Sequence, residues 1–199
     1  GLRRKDNDDA ALAAAALVEG DASYHTGADP RDNFRVDEIF RDLWWPLVQP
    51  SDKLLAAPVY LRDALMFPYQ AGRNFVAALH ARGGMEALNR AFECPPQSTE
   101  QILHPEKYLE PLADAPKPVS LEVRPEPSWR LTQENVVGEL GTRSLFSKLL
   151  GPERATAVAA GWGGDRYLVY DLRQPPDGWV LVWKSVWDTE ADARKFFEA

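Results

Sequence analysis

The sequence predicts an α+β protein that is predominantly α-helical and carries a C-terminal β-hairpin packed on helices. Apolar residues recur at helical spacing through most of the chain, whereas alternation of Val, Trp and Tyr is confined to residues 167–187. An apolar content of 45%, with 11% aromatic residues, supplies enough surface for a folded core. At this length we expect one domain over residues 1–199.

The first helix is predicted over Asp8–Tyr24, where Asp8 or Asp9 can cap the N-terminus. Residues Ala10 to Val18 are apolar on every side of this helix, so we expect it to be buried all round. The run is also the longest apolar stretch, and it is far shorter than the roughly 20 residues that span a bilayer. No transmembrane segment is therefore predicted.

Prolines and glycines delimit the next predicted helices, because proline breaks the helical hydrogen-bond ladder and glycine favours a helix end. A helix is predicted over about 36–45 and is ended by Pro46. A second is opened by Ser51–Asp52, interrupted by Pro58 and closed at Met66–Phe67–Pro68. Two more follow, over Tyr69–Arg82 ended by Gly83–Gly84 and over Met85–Phe92 ended by Pro95–Pro96.

The C-terminal half mixes short helices with extended segments. Residues 110–127 contain five prolines and are predicted to be extended, with a candidate strand over 119–123. The predicted helices are Thr99–His104 capped by Ser98, Thr132–Leu150, Glu153–Ala160, and Thr189–Phe197 capped by Asp188. Residues 161–164 are predicted to form a tight loop. Strands over Tyr167–Leu172 and Trp179–Trp187 form the hairpin, joined by Pro175-Pro176-Asp177-Gly178.

Charge and cysteine content exclude some classes of function. The chain carries 30 acidic and 23 basic residues, a net charge of −7, so we expect no nucleic-acid binding. Its single cysteine, Cys94, has no partner for a disulfide or a paired metal motif, and it leaves the cellular compartment open. With only three histidines, the chain is poor in metal ligands.

Glu19 is the most informative polar residue, because it directly follows the all-apolar run of the first helix. A carboxylate there costs free energy unless it is paired, hydrogen-bonded or bound to a metal. Gly20 beside it has no side chain and lets a neighbouring helix approach closely. The alternative is that the helix simply becomes exposed at Glu19.

Glu100 and His104 lie four residues apart and can share one helix face, where they could form a pair or contact a substrate. In the alternative interpretation Ser98 and Gln101 form a capping box, and His104 interacts with the helix C-terminus.

Asp165 and Arg166 follow the glycine-rich segment and could form a buried ion pair that joins the hairpin to the helices. Glu139, between Gly138 and Gly141, could join the same polar cluster, but we expect it on an exposed helix face.

Residues Ala16–Ala22, with the sequence ALVEGDA, resemble the second zinc-site helix of gluzincin-type metallopeptidases. More narrowly, the chain is similar to a largely uncharacterised prokaryotic gluzincin-like family that places an H-E-x-x-H helix before an L-x-E-G-D-A helix. The further segments that carry this resemblance are Phe67-Pro68-Tyr69 with Gly72 and Phe75-Val76, Pro96 with Ser98–Pro105, and Gly161–Arg166.

The resemblance implies a zinc-dependent peptidase with a peptide or protein substrate and Glu19 as third ligand, beside two histidines of the upstream helix. Glu100, His104, Asp165 and Arg166 are the candidate cleft residues. The chain itself contains no H-E-x-x-H, and its histidines are His25, His80 and His104.

We therefore expect the isolated chain to bind no catalytic zinc and to be inactive. The motif either lies on an N-terminal segment that this chain lacks, or it has been lost. The alternative function is a non-catalytic binding or scaffold domain of an exported bacterial protein.

Overall fold

The computed structural model describes residues 6–26, 56–109, 114–172 and 178–199 and confirms the α+β class. Contacts divide the chain into two compact units. The helical unit comprises Leu12–Pro96 and Gln101–Ala113, and the sheet unit comprises Gly1–Ala11, Gln97–Glu100 and Asp114–Ala199. This division does not test the single-domain expectation, which stays a prediction.

Helix α1 spans Asp8–Thr26 and confirms the first predicted helix. Its N-terminal cap is Asn7, whose Oδ1 accepts a hydrogen bond from the backbone N–H of Ala10 at 2.9 Å, rather than Asp8 or Asp9. Helix α1 is not buried all round, since Val18 is 40% exposed.

Helix α2 spans Val59–Glu93, so the predicted closure at Met66–Phe67–Pro68 is wrong. Phe67 and Pro68 are buried, and their packing outweighs the hydrogen bond that the proline removes. The predicted break at Gly83–Gly84 is confirmed, because both residues leave helical geometry and Gly84 has a φ of +61°. The predicted helix over 36–45 and the start at Ser51–Asp52 lie outside the described residues.

Two short helices follow, α3 over Thr99–Leu103 and α4 over Glu106–Leu109. The first strand of the sheet is β1, Trp129–Asn135. The candidate strand over residues 119–123 is instead irregular. The predicted helix over Thr132–Leu150 therefore starts too early. Its first residues extend because they pair with a distant strand; Asn135, for example, lies opposite Tyr167.

The remaining elements are α5 over Gly138–Leu150, α6 over Pro152–Ala159, β2 over Trp162–Leu172, β3 over Gly178–Trp187 and α7 over Glu190–Phe197. They form an antiparallel sheet in the order β1-β2-β3, which contains the predicted hairpin. The turn of the hairpin lies outside the described residues. The expected loop at 161–164 is instead mostly strand, with a register shift between Trp162 and Gly164.

Helices α5 and α7 pack on the sheet through an aromatic cluster formed by Phe146, Trp183, Trp187 and Phe196. The ring centres of Trp187 and Phe196 are 4.4 Å apart, and those of Phe146 and Phe196 are 5.2 Å apart. Helix α7 is capped by Thr189 rather than Asp188, since the Thr189 side chain accepts the backbone N–H of Asp192 at 3.1 Å. These contacts join the hairpin to its helices, as predicted.

Among the helices of the described ranges, none combines the length and the apolar content that crossing a bilayer requires.

Candidate functional site

Helices α1 and α2 touch backbone to backbone at Gly20 and Gly72. A Cβ placed on Gly20 would lie 2.2 Å from the carbonyl carbon of Gly72, and one on Gly72 would lie 2.0 Å from the carbonyl oxygen of Ala16. Both distances are shorter than any non-bonded contact that a Cβ atom makes in proteins, so only glycine fits at either position. The prediction that Gly20 admits a neighbouring helix is confirmed.

Glu19 lies beside this contact and is half-buried. Its charge acts on Tyr69 of α2, whose hydroxyl pKa is raised above its ordinary value first by burial and then by the Glu19 carboxylate. The Glu19 side chain is therefore neither fully buried in the core nor fully exposed to solvent. The Tyr69 hydroxyl, on which its charge acts, stays protonated at neutral pH.

The residues near Glu19 do not complete a zinc site. In the described ranges, the side chains that bring three ligand atoms within 4.8 Å of one another are Glu100, Asp114 and Asp188, and Glu19 is not among them. A zinc peptidase site needs three protein ligands with one open position. Glu19 can supply one of them, so the described part of this chain fits a single ligand and no reaction step follows from it.

Glu100, a predicted cleft residue, belongs to the acidic group of the sheet unit. It is 1% exposed, whereas Asp114 and Asp188 are half-buried. The Lys117 Nζ lies 3.4 Å from Asp188 Oδ1 and donates to the Trp187 carbonyl at 2.9 Å. The Lys117 ammonium group therefore lies beside Asp188 and offsets part of the negative charge of the three carboxylates.

His104, the residue paired with Glu100 in the sequence analysis, follows the end of α3 in the helical unit. It is half-buried, and its Nδ1 lies 3.7 Å from Glu106 Oε1. One acidic contact of His104 is therefore with the first turn of α4.

Asp165 links the start of α5 to the sheet through hydrogen bonds of its side-chain carboxylate. Its Oδ1 accepts the backbone N–H of Val137 at 2.8 Å, and its Oδ2 accepts the backbone N–H of Gly138 and the indole N–H of Trp162, both at 2.8 Å. The residue is 4% exposed. Burial raises the pKa of its carboxyl group, although these hydrogen bonds act in the opposite direction.

The predicted ion pair between Asp165 and Arg166 is wrong. Arg166 Nε lies 3.5 Å from Glu134 Oε1, and its Nη1 donates to the backbone carbonyl of Asp6 at 3.0 Å. Successive residues of a β-strand point to opposite faces of the sheet. Asp165 and Arg166 are successive residues of strand β2, so their side chains do not meet. Arg166 therefore links strands β1 and β2 at the surface instead of entering the core.

Asp9, predicted from the sequence only as a helix cap, is a buried carboxylate. Its Oδ2 accepts the backbone N–H of Thr99 at 3.1 Å, and its Oδ1 accepts the Thr99 hydroxyl at 2.6 Å. The pKa of Asp9 is raised to about 7, chiefly by burial and further by the negative charges of Asp165 and Glu139. Three carboxylates of the sheet unit thus influence one another inside the protein.

Glu139 belongs to this group, so the expectation that it lies on an exposed helix face is wrong; it is 1% exposed. Gly138 precedes it with a φ of +74°, and a Cβ there would lie 1.8 Å from Asp9 Oδ1. The glycine before Glu139 was the available sequence signal for a close approach, but the sequence does not show that the approaching group is a carboxylate 129 positions away.

A family model described as a domain of unknown function (DUF8575) matches residues 129–199, which run from strand β1 to the end of the chain. No curated protein matches this chain. No solved structure matches it either.

Proposed function

We propose that this chain is part of a zinc-dependent peptidase of the gluzincin type, in which Glu19 supplies one metal ligand from α1. The observation that carries the proposal is the half-buried Glu19 carboxylate beside the backbone contact of Gly20 with Gly72. That contact fixes the position of the carboxylate against a second helix, and a metal ligand needs such a rigid support.

Two histidines and a general base would come from an H-E-x-x-H helix, which the sequence of this chain does not contain. Zinc supplies activation of a water molecule in such enzymes. The isolated chain contributes a single ligand, and we expect it to hydrolyse no peptide by itself.

Tyr69 is the neighbouring group with a defined chemical role in this proposal. Its hydroxyl keeps its proton at neutral pH, because the ordinary pKa of a tyrosine is about 10 and burial raises it further here. It therefore acts as a hydrogen-bond donor toward Glu19 or toward a polar group of a substrate. His104, which lies in the helical unit with Glu19, remains a proposed cleft residue. Glu100 is 1% exposed in the sheet unit, so the proposal does not use it. The contacts of Asp165 and Arg166 favour structural roles for both.

The test compares the full-length gene product with its Glu19→Gln variant. Zinc content is measured after dialysis by elemental analysis, and peptidase activity is measured on an unstructured protein such as casein. We expect the variant to lose most of its activity and to bind zinc at least tenfold more weakly, while its fold, followed by circular dichroism, is retained.

Glu86→Gln is the matched control, because Glu86 is an exposed carboxylate of α2 that lies 3.7 Å from Arg90. It should keep the zinc content and the activity of the wild type. Equal zinc affinity and activity in the Glu19 variant and the wild type would overturn the proposal. A wild-type gene product without zinc and without peptidase activity would overturn it too, in favour of a binding or scaffold domain.

A further inference from the structure

A second group of ligand-type side chains lies between α1 and α2, about one turn after Gly20 on α1 and about two turns after Gly72 on α2. The rings of Tyr24 and His80 are stacked, with centres 4.7 Å apart and planes at 12°. The His25 ring stands edge-on to both, 5.4 Å from Tyr24 and 5.3 Å from His80. Asp21 completes the group, since its Oδ1 lies 3.2 Å from His25 Nε2.

The spacing of the two helices creates this group. Ala16, Gly20 and Tyr24 form one row on α1, and Gly72 contacts the first two of them while His80 contacts the third. The contacts advance along both helices together, so α1 and α2 run in the same general direction. They touch where the residues are small and are held apart where two rings stand between them.

Two polar atoms in this group lack hydrogen-bond partners. Asp21 Oδ1 and His80 Nε2 are both buried from solvent, and neither is hydrogen-bonded. His25 Nε2 is close to Asp21 Oδ1, but its geometry does not make a hydrogen bond. Buried polar atoms are nearly always satisfied, and a cation is a partner that a carboxylate oxygen and an imidazole nitrogen of one cluster can both bind.

We propose that Asp21, His25 and His80 bind a divalent transition metal ion of the Zn²⁺ type. Asp21 and His25 lie four residues apart on α1 and present their side chains on one face, and α2 contributes the third ligand. Imidazole with one carboxylate is a ligand set that suits zinc, copper and nickel. Water can take the fourth position.

The separation of the two imidazoles fits one shared ion. With Zn–N bonds of about 2.1 Å and tetrahedral angles, two imidazoles on one zinc have ring centres roughly 5 Å apart. The centres of His25 and His80 are 5.3 Å apart. Rotation of the side chains then brings the three ligand atoms, which are not yet all within 4.8 Å of one another, onto the ion.

This site is separate from Glu19. Asp21 follows Glu19 by two residues, and residues two apart on a helix point to nearly opposite sides. The metal site therefore does not depend on the proposed peptidase function, and it can be tested on the 199-residue chain alone.

The experiment is a titration of the chain with Zn²⁺ by isothermal calorimetry, and with Co²⁺ by visible absorption, which reports tetrahedral coordination. We expect one ion per chain, and at least tenfold weaker binding in His25→Ala and in His80→Gln. His25 is exposed, so its substitution tests the site even if the His80 variant folds poorly.

Cys94→Ser is the control, because it removes an exposed side chain of metal-binding type outside this cluster. It should bind zinc like the wild type. Absence of stoichiometric binding to the wild type would overturn the proposal. Binding that is unchanged in His25→Ala would overturn it as well, and so would binding that Cys94→Ser abolishes.

Discussion

Asp9 accepts two hydrogen bonds from Thr99, one from its backbone N–H at 3.1 Å and one from its hydroxyl at 2.6 Å. The same hydroxyl accepts the backbone N–H of Leu140 at 3.2 Å. One buried carboxylate at the start of α1 is thereby linked to the first turns of α3 and α5. Its protonation state bears directly on how well these three helix starts are held together.

The raised pKa of Asp9 predicts that the protein loses stability as the pH rises. The unfolded chain releases this proton near pH 3.8 and the folded protein near pH 7, so the folded state holds the extra proton in between. The free energy of unfolding should fall by roughly 4 kcal/mol from pH 4 to pH 8. Asp165 adds a change of the same sign. Urea denaturation across this range measures it.

Asp9→Asn should reduce this pH dependence, because an amide in place of the carboxyl group can bond to Thr99 without titrating. Asp171→Asn, a change at an exposed carboxylate, should keep the wild-type slope. Parallel stability curves for Asp9→Asn and the wild type would contradict the assignment of the titration to Asp9.

Asp165→Asn should destabilise the sheet unit. Each oxygen of Asp165 accepts at least one hydrogen bond, and an amide nitrogen in place of either leaves a buried N–H donor unsatisfied. The expected loss is about 2 kcal/mol of unfolding free energy. Guanidinium denaturation followed by tryptophan fluorescence measures it, and the environment of Trp162 should change in the folded state.

Glu134→Gln serves as the control for Asp165→Asn. It removes the half-exposed ion pair with Arg166, and surface pairs of this kind contribute less than about 1 kcal/mol. An equal loss of stability in both variants would show that the buried hydrogen bonds of Asp165 are no more important than a surface contact.

Gly20→Ala should destabilise the helical unit, although alanine is the better helix former. Alanine gains about 1 kcal/mol in helix propensity over glycine. Its methyl group, however, would lie 2.2 Å from the backbone of Gly72, and neither helix backbone can move without separating the pair. We expect a net loss of about 2 kcal/mol or more in thermal or urea denaturation.

Gly178→Ala is the comparison, since a methyl group there meets Leu172 Cδ1 at an ordinary 3.5 Å. It should change the stability by less than about 0.5 kcal/mol. If Gly20→Ala proved as mild, the close contact of α1 with α2 would not be an essential part of the fold.

Elements whose signal is local were predictable from the sequence. Helix α1, the break at Gly83–Gly84 and the hairpin follow from periodicity and from glycine, and the structure confirms them. Strand β1 was missed because only pairing with β2, some 30 residues later, makes residues 132–135 extended. Pro68 was misinterpreted as a helix end because burial, which the sequence does not show, outweighs its local preference.

The residues of the candidate site also fall into those that the sequence could identify and those that it could not. Glu19 and Gly20 could be singled out because a carboxylate and a glycine interrupt an apolar helix. The burial of Asp9 and Glu139 could not be predicted, because each occupies the first turn of a helix, where acidic residues are ordinary. Their interaction depends on a tertiary contact between distant segments of the chain.

Phe196 and Phe197 offer a test of how α7 is held, since the two are neighbours with opposite exposure. Phe196 is half-buried, with its ring centre 4.4 Å from that of Trp187, whereas Phe197 is 89% exposed. Phe196→Ala should lower the free energy of unfolding by about 2 kcal/mol, and Phe197→Ala should change it by less than about 0.5 kcal/mol. Denaturation followed by tryptophan fluorescence measures both. Equal effects would contradict the packing of α7 on the sheet through Phe196.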